Sequence, residues 1–143
     1  MNSKKFWISV VVTFFVYGIL QFVIHGGILQ SMYKSESTMH LWKSEAVMQS
    51  RMYGHILAYL FFALLFCFIY VKGYEANKAG VAQGIRYGLY MGLFVQLPMV
   101  FTYFVVLNSP GSLLMWWLIY GTLTSIICGG ILGAIYKPQM ATS

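Results

Sequence analysis

The apolar residues of this chain fall into four long runs that are separated by short polar stretches. The runs cover about residues 6–29, 44–71, 80–107 and 112–136. A helix needs about 20 residues to cross the hydrocarbon core of a bilayer, and each run reaches that length. The pattern predicts an all-α protein with a single domain over residues 1–143. Because consecutive spans alternate in direction, we expect an integral membrane antiparallel four-helix bundle.

The polar stretches contain recognisable helix boundaries. Ser44 is a candidate N-cap for the second span, and Lys72 precedes a glycine that is typical of a helix end. Residues 108–111, with the sequence Asn-Ser-Pro-Gly, predict a tight turn. Pro98 lies inside the third run, where it removes one helix hydrogen bond and predicts a kink. The sequence does not decide whether residues 30–43 form a loop or a helix lying on the membrane.

Composition supports a membrane protein and excludes several other classes. Apolar residues make up 59% of the chain and charged residues only 8%, whereas a soluble domain carries about 25% charged residues. The net charge of +6 comes from residues that flank the apolar runs. This arrangement suits contact with anionic lipid and offers no basic face for nucleic acid.

The positions of the basic residues predict an orientation. The side of the termini carries Lys4, Lys5, Lys72, Lys78, Arg86 and Lys137, and the other side carries Lys34, Lys43 and Arg51. Lys and Arg accumulate on the cytoplasmic side of membrane proteins. We therefore expect a multi-pass protein of the cell inner membrane with both termini in the cytoplasm.

Two rows of small residues predict where helices approach closely. The third run carries Gly80, Gly84, Gly88 and Gly92, and the fourth carries Gly121, Ser125, Gly129 and Gly133. Small residues four apart clear one face of a helix, so that another backbone can come near. The rows lie at matching depths of antiparallel neighbours, which predicts a helix-packing seam. The sequence leaves open whether the seam lies within one chain or between two copies.

Polar residues inside the apolar runs are the candidates for chemistry, because polar groups are costly in lipid. Helical spacing and rise per residue predict a cluster that opens toward the outer face: Gln21, His25, Arg51, His55, Tyr59 and Gln96. His25 and His55, on facing helices, form the minimal ligand pair for a b-type haem. Alternatively, each histidine forms a hydrogen bond to a neighbouring helix.

Signatures of enzymes and metal sites are missing from the sequence. The chain contains no Asp, and its Glu residues lie in or next to loops, so no intramembrane carboxylate pair exists. Cys67 and Cys128 fall inside apolar runs, where thiols behave as small hydrophobes. We predict no catalytic residue and no metal ligand.

Three segments resemble small bacterial four-span proteins that are known only as families of unknown function. They are Val-Ile-His25-Gly-Gly-Ile-Leu-Gln-Ser-Met-Tyr, then Gly84-Ile-Arg-Tyr-Gly-Leu-Tyr-Met-Gly92 with Gln96-Leu-Pro98, and Gly129-Gly-Ile-Leu-Gly133-Ala-Ile-Tyr-Lys137-Pro. The resemblance implies an inner-membrane bundle and supplies no activity.

The leading functional hypothesis is a non-enzymatic scaffold or subunit that works as a homo-oligomer or inside a larger membrane complex. The first alternative is electron transfer through a haem held by His25 and His55. The second is transport of a small solute or metal by a dimer, through a wet cavity lined by Gln21, His25, His55 and Gln96.

Overall fold

The regular structure of the chain is helical throughout the part that can be described. The structure is a computed structural model that describes residues 3–136. The helices are α1 (Ser3–Val23), which continues into a π-helical turn (Ile24–Ile28), α2 (Gln30–Tyr33), a 3₁₀ turn (Met39–Leu41), α3 (Glu45–Ser50), α4 (Tyr53–Lys72), α5 (Gly80–Val106) and α6 (Gly111–Ile135). Within those residues, four helices are long and apolar enough to cross a membrane: Ser3–Ile28, α4, α5 and α6.

The second long helix is shorter than the sequence predicts. The expectation of one helix starting at Ser44 was wrong, because α3 ends at Ser50 and α4 begins only at Tyr53. The turn between them is closed by a hydrogen bond from Gly54 N to Arg51 O at 2.9 Å. Its cause is composition: residues 44–51 are mostly polar, so no apolar face holds them in line with α4. Arg51 therefore precedes the helix that carries His55.

The other predicted boundaries lie close to those of the structure. α5 and α6 agree with the predicted runs within one residue at each end, and α5 continues as one helix through Pro98. The segment 30–43, left open by the sequence, contains α2 and the 3₁₀ turn. Lys137, which closes the fourth predicted run, lies outside the described residues.

The most extensive helix contact is between α5 and α6, and small residues form it. A Cβ atom placed on Gly84 would lie 2.8 Å from the carbonyl carbon of Gly129, and one on Gly92 would lie 2.8 Å from Thr122 Cα. Carbon atoms prefer about 3.5–4.0 Å, so larger side chains do not fit. The two rows meet within one chain, in the facing pairs Gly80 with Gly133, Gly84 with Gly129, Gly88 with Ser125, Gly92 with Thr122, and Gln96 with Gly121.

A hydrophobic core fills one end of the molecule, which we call the closed end. It joins the start of α1 to the last turns of α4 and α6, through Phe6, Val10, Ala63, Phe66, Cys67, Tyr70, Cys128, Leu132 and Tyr136. Two tyrosines tie α5 to this core, because Tyr87 Oη donates to Phe66 O at 2.6 Å and Tyr70 Oη donates to Gly80 O at 3.2 Å. The closed end thus contains residues from all four long helices.

At the opposite end, which we call the open end, Leu29, Leu113 and Leu114 are buried, but α4 contributes no buried residue before Ala63. There the turn at residues 51–52 and the first residues of α4, up to residue 58, are all exposed. The first residue of α4 with a partly buried side chain is Tyr59, which packs beside Gly18 of α1. The open end therefore holds the space in which a site can form.

Adjacent glycines of α6 provide a test of the α5–α6 contact. A Cβ on Gly129 would lie 3.0 Å from both N and Cα of Gly88, whereas a Cβ on Gly130 would meet only the exposed side chain of Ile85, at 3.3 Å. Overpacking a rigid contact costs about 1–3 kcal/mol. We expect the free energy of unfolding of Gly129→Ala in detergent, measured by denaturant titration, to lie below that of Gly130→Ala by that amount.

Gly130→Ala is the matched control. Alanine favours a helix over glycine by about 1 kcal/mol at both positions, so the difference between the two variants isolates the packing term. Equal stability of the two variants would contradict a backbone-level contact at Gly129.

Candidate functional site

A partly enclosed cavity of about 340 Å³ lies at the open end, between α1, α5 and α6. Its wall combines aromatic rings with the polar tips of neutral side chains. The lining residues are Tyr17, Gln21, Ile24, His25, Val95, Gln96, Met99, Tyr103, Trp117, Tyr120 and Gly121. Its volume is at the lower end of the range of about 300–1,000 Å³ that is common for ligand pockets.

The predicted polar cluster divides between three places in the structure. Gln21, His25 and Gln96 line the cavity together. Tyr59 lies instead in a shallow apolar groove formed mainly by α1. Arg51 and His55 are exposed at the start of α4, and the cavity wall contains neither of them.

Gln96 carries the most unusual polar group of the cavity. Its Oε1 atom is buried and has no hydrogen-bond partner within residues 3–136. The side chain lies across Gly121, where an added Cβ would be 2.9 Å from Gln96 Cγ. Burying an amide oxygen without a hydrogen bond costs about 1–3 kcal/mol. The absence of a side chain on Gly121 thus makes room for the Gln96 side chain between the two helices.

Gln21 lies one helical turn after Tyr17 on α1, and both side chains line the cavity. The Tyr17 ring stacks on Phe62 of α4 with centroids 3.9 Å apart and meets the edge of Tyr59 at 5.4 Å. Aromatic packing against α4 therefore fixes the position from which Tyr17 and Gln21 face the cavity.

A chain of three hydrogen-bonding side chains orients His25. Trp117 Nε1 donates to Tyr33 Oη at 2.9 Å, and Tyr33 Oη lies 2.5 Å from His25 Nδ1. An indole N–H can only donate, whereas a phenol both accepts and donates. The bond between Tyr33 Oη and His25 Nδ1 can run in either direction, because the phenol oxygen can accept from both Trp117 and the Nδ1–H tautomer of His25.

The phenol at the centre of that chain remains protonated at neutral pH. Burial raises the pKa of Tyr33 above its ordinary value of 10.0, and the hydrogen bond from Trp117, which lowers it, is the smaller effect. The Tyr33 and His25 rings are nearly parallel, with centroids 5.9 Å apart. The hydroxyl thus keeps its proton and stays neutral beside His25.

Tyr33 also anchors the segment that connects α1 to α4. Trp42 Nε1 donates to the Tyr33 carbonyl at 3.1 Å, and the Trp42 ring lies edge-on to the Tyr33 ring at 5.1 Å. The segment is therefore folded against the ends of α1 and α6. The sequence analysis did not identify Tyr33 and Trp117 as site residues. The path of the connecting segment places Tyr33 between Trp117 of α6 and His25, and the pattern of apolar residues does not determine that path.

Neither a metal-binding cluster nor a similar protein of known function indicates what the cavity does. Within residues 3–136, no group of three or more His, Cys, Asp or Glu side chains is placed to hold a metal ion. No family model, no curated protein and no solved structure matches the chain. The resemblance to small four-span bacterial proteins therefore stays a prediction, and the function must be argued from the site.

The role of Tyr33 as an anchor predicts a change in protease sensitivity. Tyr33→Phe removes the hydroxyl that joins Trp117 to His25, and a net hydrogen bond contributes about 0.5–1.5 kcal/mol. Local opening of the connecting segment should increase about tenfold, since about 1.4 kcal/mol corresponds to that factor. We expect faster trypsin cleavage after Lys43 in detergent.

Tyr53→Phe is the control for this experiment, because Tyr53 is 65% exposed at the start of α4. Its cleavage rate after Lys43 should match that of the wild-type protein. An unchanged rate in Tyr33→Phe would show that the hydroxyl does not hold the segment.

Proposed function

We propose that this chain is a non-enzymatic, multi-pass membrane subunit that assembles with a second copy of itself. Ser3–Ile28, α4, α5 and α6 would be its four spans, arranged as an antiparallel bundle. Large apolar side chains on these helices support insertion, since Phe22, Phe94, Phe104 and Val105 are 70–81% exposed. In water such surfaces would favour aggregation, whereas in a bilayer they would contact lipid tails.

The distribution of basic residues supports the orientation. Lys4, Lys5, Lys72, Lys78 and Arg86 belong to the helix ends and turns of the closed end, and Lys34, Lys43 and Arg51 to the open end. The positive-inside rule then puts the closed end in the cytoplasm. The resemblance in sequence would make the membrane a bacterial inner membrane.

The observation that carries the proposal is the uncovered start of α4. Residues 53–58 of this candidate span are all exposed, so no helix within residues 3–136 covers this part of it. The imidazole of His55 belongs to this surface. Polar side chains in membrane helices usually pair with one another or with a neighbouring helix, which favours a protein partner over lipid alone.

The small residues of this surface favour a second copy as the partner. Gly54 and Ala58 are four residues apart and both exposed, and within residues 3–136 no atom lies within 4 Å of a Cβ built on Gly54. Two such positions form a small-xxx-small pair, which lets parallel membrane helices approach closely. Two copies inserted in the same orientation present parallel α4 helices, as a two-fold dimer requires.

Oligomeric state in mild detergent tests this proposal. We expect the wild-type protein to have the mass of a dimer in light scattering after size exclusion. Ala58→Leu should shift the protein toward monomer by at least tenfold in dissociation constant, since a leucine side chain separates closely packed helices.

Ala82→Leu is the matched control, because Ala82 is an exposed alanine at the start of α5. It should leave the dimer unchanged. A wild-type protein that is monomeric at all concentrations and brings no partner would contradict the proposal.

The haem and transport hypotheses both depend on His55. His25 and His55 lie near enough for their charges to interact, which is the observation that favours a shared haem. However, only His25 lines the cavity, so a macrocycle between the two would lie outside it. A transport path would likewise have to leave the cavity to reach His55.

An absorption spectrum distinguishes these hypotheses from the proposed function. If His25 and His55 bind haem, protein purified from cells supplied with haem will have a Soret band that His55→Ala abolishes. No Soret band in the wild-type protein would remove the haem hypothesis and leave the dimer unaffected.

A further inference from the structure

All three histidines of the chain lie at the open end. His25 belongs to the π-helical turn after α1, His40 to the 3₁₀ turn and His55 to the first turn of α4, and all three are exposed. Histidine has an ordinary pKa of about 6.5, so its charge changes within the range of pH 5 to 8. Because the chain has no other histidine, a fall in pH through this range adds positive charge to the open end alone.

The open end has little negative charge to offset those protons. Its residues of permanent formal charge are Lys34, Lys43, Arg51, Glu36 and Glu45. Three cations and two carboxylates give a formal charge of +1, and three protonated histidines would raise it to +4. Like charges repel one another, so any contact between two copies at this end becomes less favourable as the histidines gain protons.

His55 borders the small-residue face of α4 on which the proposed dimer depends. It follows Gly54 directly, and it lies about 60° around the helix from Ala58. Where two helices cross at small residues, their backbones come close together, and each helix covers the side chains that flank the small residues of the other. The second copy would therefore cover the imidazole of His55, which is exposed in the single chain.

The groups that face His55 offer its proton no counter-charge. Arg51 lies one turn before it, between α3 and α4, and His25 from the end of α1 is near enough for the two charges to interact. The neutral ring of Tyr59 is 6.1 Å from the imidazole, measured between centroids. Within residues 3–136 no carboxylate forms an ion pair with His55 or Arg51. A second copy would add the same groups, and therefore a second arginine.

We propose, on the premise of the proposed dimer, that acid dissociates the two copies through protonation of His55. The imidazole is exposed in the monomer, whereas in the dimer it is covered and lies beside Arg51. Covering a charge that has no partner is costly, so the monomer binds more protons than the dimer. A falling pH favours the form that binds more protons, which here is the monomer. In the proposed orientation, the assembly responds to acidity outside the inner membrane and not to the pH of the cytoplasm.

Dissociation constants of the full chain at about pH 7.5 and about pH 5.5 test the proposal. They are measured in a non-ionic detergent, by energy transfer between two labelled pools of the protein. At the lower pH an exposed imidazole is protonated about ten times as often as it is neutral, and each dimer contains two copies of His55. We expect the dissociation constant of the wild-type protein to rise at least tenfold between the two conditions. His55→Gln keeps a polar side chain that cannot gain a proton, and its constant should change by less than about threefold.

His40→Gln is the matched control, because His40 is also exposed at the open end but belongs to the connecting segment and not to α4. It should keep the response of the wild-type protein. Circular dichroism at both pH values verifies that each protein is folded. His55→Leu, which also cannot be protonated, replaces His55→Gln if that variant does not fold.

The possible results separate this proposal from the dimer on which it rests. If the wild-type protein is a dimer with the same dissociation constant at both pH values, the acid response is excluded and the dimer stands. If His55→Gln keeps the full response, another group is the trigger and the proposal is wrong. A wild-type protein that is monomeric at both pH values would contradict the dimer and the acid response together.

Discussion

The close approach of α5 and α6 is the constraint on which the rest of the structure depends. Glycine and serine bring the two backbones together, and in lipid such packing replaces the hydrophobic effect as the source of helix association. The residues just before them in sequence, Cys128 and Leu132, belong to the core shared with α1 and α4. Since neighbouring residues of a helix point about 100° apart, the contact with α5 also fixes the side of α6 that faces α1.

The cavity follows from the way this contact ends. Toward the open end, the two backbones stay in close contact up to Gly92 and Thr122. In the next facing pair, the side chain of Gln96 lies across Gly121. A side chain between two helices keeps their surfaces apart. The space beside it is the cavity, which the rings of Tyr17 and Trp117 complete. The same periodic row thus produces a tight seam in one half of the molecule and a site in the other.

The sequence predicts some features of this structure well because they depend on one helix at a time. Four-residue spacing of Gly84 and Gly88 can be recognised without any knowledge of the partner, and so can the lengths of α5 and α6. The start of α4 was mispredicted because the second predicted span began at residue 44 and continued through Arg51. Residues 44–51 are mostly polar, so they have no apolar face that would pack against the other helices and keep them in line with α4. The length of an apolar run does not show this change.

The site was only partly predictable, for a related reason. Gln21, His25 and Gln96 could be grouped by depth along their helices, and the structure brings these three to one cavity. His55 was grouped with them by the same reasoning, but depth does not determine the direction in which a side chain points. Tyr33 was missed because its position depends on the course of residues 29–42, whose turns are held by contacts such as the hydrogen bond from Trp42.

The neutrality of the cavity limits the chemistry that it can perform. A carboxylate at the position of Gln96 would need a nearby cation, and the lining residues contain no Lys or Arg. An amide avoids that cost and still presents both a donor and an acceptor. The position of His25 at the cavity wall depends on the hydrogen bonds that join Trp117 to Tyr33 and Tyr33 to His25. Because the indole N–H of Trp117 can only donate, the first of these bonds always runs from Trp117 to Tyr33, and it holds the Tyr33 hydroxyl beside His25 whatever the tautomer of the imidazole.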